Sequence, residues 1–161
     1  MRIKHTYLLL SLCLSVTTLA QARPDFSGVW VPQPSKTNAP ASGGTVALPP
    51  SDLTIQHTPG ALAISRTAFD IVTTQTYKLD GSESTNKSGA MTRVTRSRWD
   101  GPRLVIEGKA SQVTSAGYAM WLIKETYSLN SSGQLVLATV YVSTDGTTTS
   151  STQEFTRKPL K

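Results

Sequence analysis

Short runs of alternating apolar and polar residues make up most of the chain from Leu53 onward, and turn signals separate them. In the first run Leu53, Ile55 and His57 alternate with polar residues, which is the two-residue period of a half-buried strand. Asp-Gly pairs at 80–81, 100–101 and 145–146 are typical of hairpin turns, because they tolerate the positive φ angles of tight turns. No segment has a sustained helical period. The pattern predicts an all-β antiparallel meander of about eight to ten strands.

The length of this meander bears on the architecture, because an open sheet leaves two edges with unpaired backbone groups. Closing the sheet into a β-barrel removes both edges, so we expect a barrel, with an open curved sheet as the alternative. A barrel of about eight strands either fills its interior with side chains or holds one small ligand.

Three segments depart from simple alternation. Residues 31–50 contain five prolines, which predicts a long loop. Residues 108–117 show no pattern and are interpreted as a break or a wide loop. Residues 118–129 are apolar on both faces as far as Lys124, which predicts a strand buried on both sides.

The first 22 residues have the features of a secretory signal peptide. Arg2 and Lys4 precede the apolar run 8–16, and Ala20-Gln21-Ala22 supplies the small residues that a signal peptidase requires. The apolar run is shorter than the ~20 residues of a membrane-spanning helix. We therefore expect removal of 1–22 and export to the periplasm or the extracellular space. Residues 23–52 would then form the first strand and the proline-rich loop, and 53–161 the remaining strands of one barrel domain.

Composition narrows the classes of function. Without the signal peptide, 139 residues remain, with 14 basic and 10 acidic side chains and a net charge of +4. Such a modest surplus argues against nucleic-acid binding and leaves small anions, envelope polymers or a protein as partners. The single cysteine, Cys13, lies in the signal peptide, so the mature chain has no disulfide and no thiolate chemistry.

The stretch DFSGVW, with Phe26, Gly28 and Trp30, resembles the G-x-W signature that opens the first strand of lipocalins and related calycin barrels. In that family the tryptophan packs across the closed end of the barrel under an arginine of the last strand, and Arg157 in TQEFTRKPLK stands where that arginine is expected. The mature chain as a whole resembles small exported bacterial lipocalin-like proteins, most of them without an assigned activity. It lacks the T-D-Y motif and the cysteine pair of true lipocalins. The resemblance implies a lipocalin-like barrel in which these four residues form a plug.

Catalytic and metal-binding patterns are weak. His57 is the only histidine after residue 22, which excludes a histidine-rich metal site, and there is no G-x-S-x-G motif. The S-x-x-K sequence at 84–87 lies in a polar stretch that follows a turn signal, whereas acylating enzymes place it at the start of a buried helix. We expect no catalytic residues, no metal and no cofactor, so enzymatic activity is the least favoured class.

Candidate ligand contacts come from three places. His57 shares a face with Leu53 and Ile55, which directs it toward the core or a cavity. A four-residue loop at 99–102 would place Arg96, Arg98 and Arg103 on one face, where they could hold a carboxylate, phosphate or sulfated sugar. If that face is solvated, the same arginines extend into water.

The third place is the strand at 118–129, which contributes Tyr118, Trp121 and Tyr127.

Three glutamates within strands have two interpretations, since an inward glutamate could orient a ligand or act as a base, whereas an outward one pairs with a neighbouring cation. These are Glu107, Glu125 and Glu154.

Two functions remain from the sequence. The first is an exported lipocalin-like barrel that binds a small, partly apolar ligand, with or without an anionic end. The second is a structural or interaction protein of the cell envelope, with a filled interior and no small-molecule ligand.

Overall fold

The computed structural model describes residues 23–33 and 51–159, except Phe69 and Ala116. The predicted signal peptide and most of the proline-rich segment lie outside this range. The described residues form ten strands and no helix, and therefore no helix that could cross a membrane. The strands are β1 (Gly28–Pro32), β2 (Leu53–His57), β3 (Ala61–Ala68), β4 (Ile71–Lys78), β5 (Glu83–Ser88), β6 (Met91–Asp100), β7 (Arg103–Thr114), β8 (Gly117–Leu129), β9 (Leu135–Ser143) and β10 (Thr148–Arg157).

The ten strands form one antiparallel sheet in the order β4-β3-β2-β1-β10-β9-β8-β7-β6-β5. Strands that follow each other in sequence pair, except β4 and β5, and β10 returns to pair with β1. The sheet curls until its two edge strands, β4 and β5, face each other. The predicted all-β meander and its barrel architecture are confirmed.

Side chains rather than a backbone ladder connect the edge strands β4 and β5. The Asn86 side chain imitates a strand partner, because its Oδ1 accepts from the Thr76 N–H at 2.7 Å and its Nδ2 donates to the Thr76 carbonyl at 3.0 Å. Ser84 Oγ accepts from the Lys78 N–H at 2.9 Å. The barrel is therefore nearly closed, with a seam that is held by β5 side chains.

The two ends of the barrel differ in how their interior is filled. We call the end that holds the β2–β3, β4–β5, β6–β7 and β8–β9 turns the closed end, and the opposite end the open end. Inward side chains near the closed end are fully buried and form a continuous apolar core. Its members include Phe26, Trp30, Leu53, Ile55, Leu62, Ile64, Leu104, Ile106, Leu135, Leu137 and Phe155. Half of the barrel is thus filled by side chains.

Arg157 and Trp30 face each other across the β1–β10 pair at the closed end. The Arg157 guanidinium lies 4.6 Å from the centre of the Trp30 ring, which is a cation–π contact, and its Nη2 donates to the Asp25 carbonyl at 2.9 Å. Trp30 Nε1 donates to the Phe26 carbonyl at 2.8 Å. Gly28 is required by its backbone, whose φ of +129° is one that L side chains rarely adopt, while a Cβ there would only touch the Arg157 side chain at 3.5 Å.

The turn between β6 and β7 is shorter than predicted. Asp100 pairs directly with Arg103, so two residues rather than four connect the strands. Arg98 then faces Val105, and Arg96 faces Glu107. The sequence interpretation failed here because Pro102 was expected to need a wider loop, whereas it fits a two-residue turn beside Gly101, whose φ is +58°.

Residues 108–114 belong to β7 rather than to a loop. The apparent break is caused by Gly108, which must be glycine because a Cβ would collide with the Val94 carbonyl and lie 2.7 Å from Thr95 Cα. Strand β8 was also misjudged, since it is buried on one face only. Tyr118 is 69% exposed and Leu122 is 51% exposed, because no second layer covers the outside of the barrel.

Replacing Gly28 with alanine should destabilise the protein by about 1–3 kcal/mol, because an L side chain rarely adopts a positive φ of this size. Urea unfolding of the wild type and of Gly28→Ala measures the difference. Gly60→Ala is the matched control, since Gly60 has open space around its Cβ position. Equal stability of the two variants would contradict the role of Gly28.

Candidate ligand-binding site

A buried ion pair lies in the middle of the barrel, above the apolar core. Arg93 of β6 donates from Nη2 to Glu125 Oε1 of β8 at 2.7 Å, and the two side chains are only 8% and 4% exposed. The second carboxylate oxygen of Glu125 accepts from the Tyr127 hydroxyl at 3.0 Å. Both oxygens of this carboxylate therefore have partners, as a buried charge requires.

The other terminal nitrogen of Arg93 extends the network to β4. Arg93 Nη1 donates to Gln75 Oε1 at 2.7 Å and lies 3.3 Å from the Tyr77 hydroxyl. The Tyr77 hydroxyl donates to the same Gln75 oxygen at 2.7 Å. The five residues of this network, Gln75, Tyr77, Arg93, Glu125 and Tyr127, are called the polar cluster below.

The electrostatics of the polar cluster keep Glu125 ionised. Burial raises the pKa of Glu125, but the charges of Arg93 and Arg66 and the hydrogen bonds from Arg93 and Tyr127 outweigh it and hold the pKa below its usual value. Burial and the nearby carboxylate both raise the pKa of Tyr127 and of Tyr77, so these hydroxyls stay protonated and donate hydrogen bonds.

Arg66 adds a second cation to the interior. It follows Leu62 and Ile64 on the inward face of β3 and pairs with Thr73 of β4. Burial lowers the pKa of Arg66, but the neighbouring Tyr127 and Glu125 reverse this, so the net direction is upward and the guanidinium stays charged. Among the described residues its side chain has no hydrogen bond or ion pair. Arg66, Arg93 and Glu125 together give this layer one net positive charge.

Above the polar cluster, most inward side chains are partly exposed, whereas Ala110 and Ile123 are buried. We call this open half of the interior the cup. The polar cluster and Arg66 form its floor. Its wall is formed by Thr73, Met91, Gln112, Ala119, Trp121, Tyr141, Thr149, Ser151 and Gln153, whose inward direction follows from the strand register.

His57 lies at the closed end, on the inward face with Leu53 and Ile55, and not in the cup. Its ring stacks on those of Phe26 and Trp99 at centroid distances of 5.9 Å, and its Nδ1 lies 3.5 Å from Asp25 Oδ1. A cleft of about 360 Å³ at this end is lined in part by His57, Asp25 and Trp99. The geometry is that of a packed histidine at the base of the barrel.

Arg96, Arg98 and Arg103 share the outer face of β6 and β7, and each is paired with a carboxylate. The shortest distances are 3.7 Å from Arg96 to Glu83, 3.4 Å from Arg98 to Glu107 and 2.7 Å from Arg103 to Asp100. All six side chains are largely exposed. The three guanidiniums are therefore matched in charge and lie outside the cup, and their assignment to a ligand stays a prediction.

The three aromatic candidates of β8 lie in three different parts of the barrel. Trp121 lines the cup, Tyr127 belongs to the polar cluster, and Tyr118 lies on the outer face. Of the three strand glutamates, Glu125 is inward and Glu107 is outward and paired.

The sequence contained a signal for the inward direction of Glu125, one of its two interpretations, and for that of Arg66, which was not among the candidates. Glu125 lies two residues from both Ile123 and Tyr127, and Arg66 lies two residues from Ile64, so each follows the inward period of its strand. No group of three or more metal-ligating side chains occurs within the described part of the chain.

Comparisons with known proteins support the fold. No family model and no curated protein matches the sequence. Among solved structures, one match is a protein titled "REP1-NXSQ fatty acid transporter", with 11% identity and a TM-score of 0.54 over 84% of this chain and 97% of that chain. Another is apo lipid binding protein 8 (LBP-8) of Caenorhabditis elegans, with 12% identity and a TM-score of 0.57 over 83% and 95%. This chain therefore shares the architecture of lipid-binding β-barrels.

Glu125→Gln should lower the free energy of unfolding by about 3–5 kcal/mol, because it leaves Arg93 and Arg66 in the interior with no opposing charge. Glu107→Gln is the matched control and should cost less than about 1 kcal/mol, since its ion pair with Arg98 is exposed. Chemical unfolding at neutral pH measures both. Equally mild effects would show that the polar cluster does not support the fold.

The ionisation of Glu125 predicts that the stability of the folded protein depends on pH. The pKa of Glu125 is lowered in the folded protein from a usual value of 4.5, so its contribution to stability is complete above about pH 4.5. That contribution is lost as the pH falls through the lower folded-state pKa. The stability of Glu125→Gln should therefore fall less steeply than that of the wild type below pH 4.5, and parallel curves would contradict the prediction.

Proposed function

We propose that this protein binds a small, partly apolar molecule through an anionic group that contacts Arg66 at the floor of the cup. The observation that carries the proposal is the net positive charge of the interior layer that Arg66, Arg93 and Glu125 form. Arg93 forms an ion pair with Glu125, whereas Arg66 forms no direct ion pair with a described residue and interacts with Glu125 only at longer range. One positive charge in this layer is therefore left over, and a bound anion would balance it and accept hydrogen bonds from the Arg66 guanidinium.

The geometry gives Arg66 and Arg93 different roles. The hydrogen bonds of Arg93 are made to side chains of the polar cluster, and both oxygens of its carboxylate partner are hydrogen-bonded. Arg66 offers a guanidinium that binds carboxylates and phosphates well, beside the open half of the barrel. The anion would therefore meet Arg66 first, while the Arg93–Glu125 pair keeps its structure.

The solved structures named above support a small-ligand role, because their titles describe a fatty acid transporter and a lipid binding protein. A shared architecture at 11–12% identity does not transfer a ligand. Export is part of the proposal as well, and it rests on the signal-peptide features of residues 1–22.

One observation favours the second candidate, a structural or interaction protein. The closed half of the interior is packed with apolar side chains, so a ligand would have only the open half. A barrel with no ligand would need Arg66 to be satisfied by water alone. The two candidates therefore differ in whether Arg66 binds an anion.

Two fluorescent probes with the same aromatic skeleton test this. Anilinonaphthalene sulfonate is anionic, and N-phenyl-1-naphthylamine is its neutral counterpart. Arg66→Gln should weaken binding of the sulfonate by about tenfold, the worth of one charge-assisted contact, and leave the neutral probe unchanged. Arg98→Gln is the control, because it removes an arginine of the outer face. An unchanged sulfonate affinity in Arg66→Gln, or equal losses for both probes, would reject the anion site.

A further inference from the structure

The wall of the cup carries several polar side chains. Five inward side chains of the wall carry hydroxyl or amide groups and are partly exposed, namely Thr73, Gln112, Thr149, Ser151 and Gln153. Within the described residues none of the five side chains has a hydrogen-bond partner. They therefore present donors and acceptors to whatever occupies the cup.

Two aromatic side chains lie on the same wall. Trp121 pairs with Ser143 and Tyr141 pairs with Ile123, so the two rings are diagonal neighbours on the inner face of β8 and β9. Tyr141 also faces Thr149 of β10 directly. An aromatic surface beside hydroxyl groups suits a ring with C–H groups on its face and hydroxyls on its edge.

An alkyl chain fits this lining poorly. Most inward aliphatic side chains, for example Leu62, Ile106 and Leu137, are already packed against one another at the closed end. The open half offers an alkyl chain only a few, such as Met91, Ala119 and Ile123. In the cup, an alkyl chain would displace water from hydroxyl and amide groups and return no hydrogen bonds. Polar groups that lose water without gaining partners oppose binding.

We infer that the ligand is a carboxylate carried on a hydroxylated ring and not a straight-chain fatty acid. This inference rests on the proposed function, since it uses Arg66 as the contact for the carboxylate. The face of the ring would pack on Trp121 and Tyr141, and its hydroxyls would bond to Thr149 and Ser151. Sugar acids and hydroxylated steroid acids share this chemistry.

Competition against anilinonaphthalene sulfonate distinguishes these sources. The competitors are phenyl glucuronide, cholate and laurate, each of which carries one carboxylate. We expect phenyl glucuronide or cholate to compete at least about tenfold better than laurate, and the better of the two identifies the source. Laurate as the strongest competitor would overturn the inference and leave the proposed anion site intact.

A pair of matched variants tests the wall itself. Thr149→Val with Ser151→Ala removes two inward hydroxyls of β10, and Thr148→Val with Ser150→Ala removes two outward hydroxyls of the same strand. The inward variant should bind the preferred hydroxylated acid about tenfold more weakly, with laurate unchanged or improved. The outward variant should match the wild type. Equal losses in both variants, or an inward variant that retains full affinity, would overturn the inference.

Two further measurements distinguish a failure of this inference from an unfolded variant and from a failure of the proposed function. Thermal unfolding checks that the inward variant is folded, and Gln153→Leu replaces it as a single substitution if it is not. Competition is repeated in Arg66→Gln, where every carboxylate should lose affinity. If binding of the sulfonate does not depend on Arg66 in the first place, the proposed function fails and this inference fails with it.

Discussion

Glu125 places a negative charge inside a sheet of one layer, and much of the structure follows from the need to satisfy it. Its partners come from strands that are not neighbours, since Arg93 lies on β6 and contacts Gln75 and Tyr77 on β4. The polar cluster therefore connects β8, β6 and β4 across the interior. Strand β4 is an edge strand, bonded to β5 mainly through Asn86 and Ser84. The buried ion pair thus supports the barrel where its backbone ladder is missing.

The polar cluster also separates the two halves of the interior. Below it, side chains fill the barrel as far as the Trp30–Arg157 plug. Above it, most inward side chains are partly exposed, and they include hydroxyl, amide and aromatic groups. A filled interior and a ligand-binding interior were alternatives in the sequence, and the structure combines them in one barrel. The ion pair at their boundary explains the arrangement, because a charged layer cannot be covered by apolar packing on both sides at low cost.

Much of the fold could be predicted because its signals are local. Asp-Gly pairs mark three turns, and the alternation in β2 places Leu53 and Ile55 inward, as the burial shows. The inward face of β6 could not be assigned, because arginines occupy both faces. Arg93 points inward, whereas Arg96 and Arg98 point outward, and only pairing with β7 separates them. In β8, apolar residues on both faces suggested a strand that is buried on both sides. The wall of this barrel buries only its inner face, because no second layer covers the outside.

The same distinction explains why the sequence drew attention to other arginines than the one that the fold brings to the interior. Arg96, Arg98 and Arg103 are close together in sequence, but each has a carboxylate within 4 Å, so the cluster carries little net charge. Arg66 is isolated in sequence and forms no direct ion pair with a described residue. An anion site needs an excess of positive charge at a position where water is partly excluded, and sequence clustering does not measure either property. Matching of charges across the sheet, which requires the register, is the observation on which the proposal for Arg66 rests.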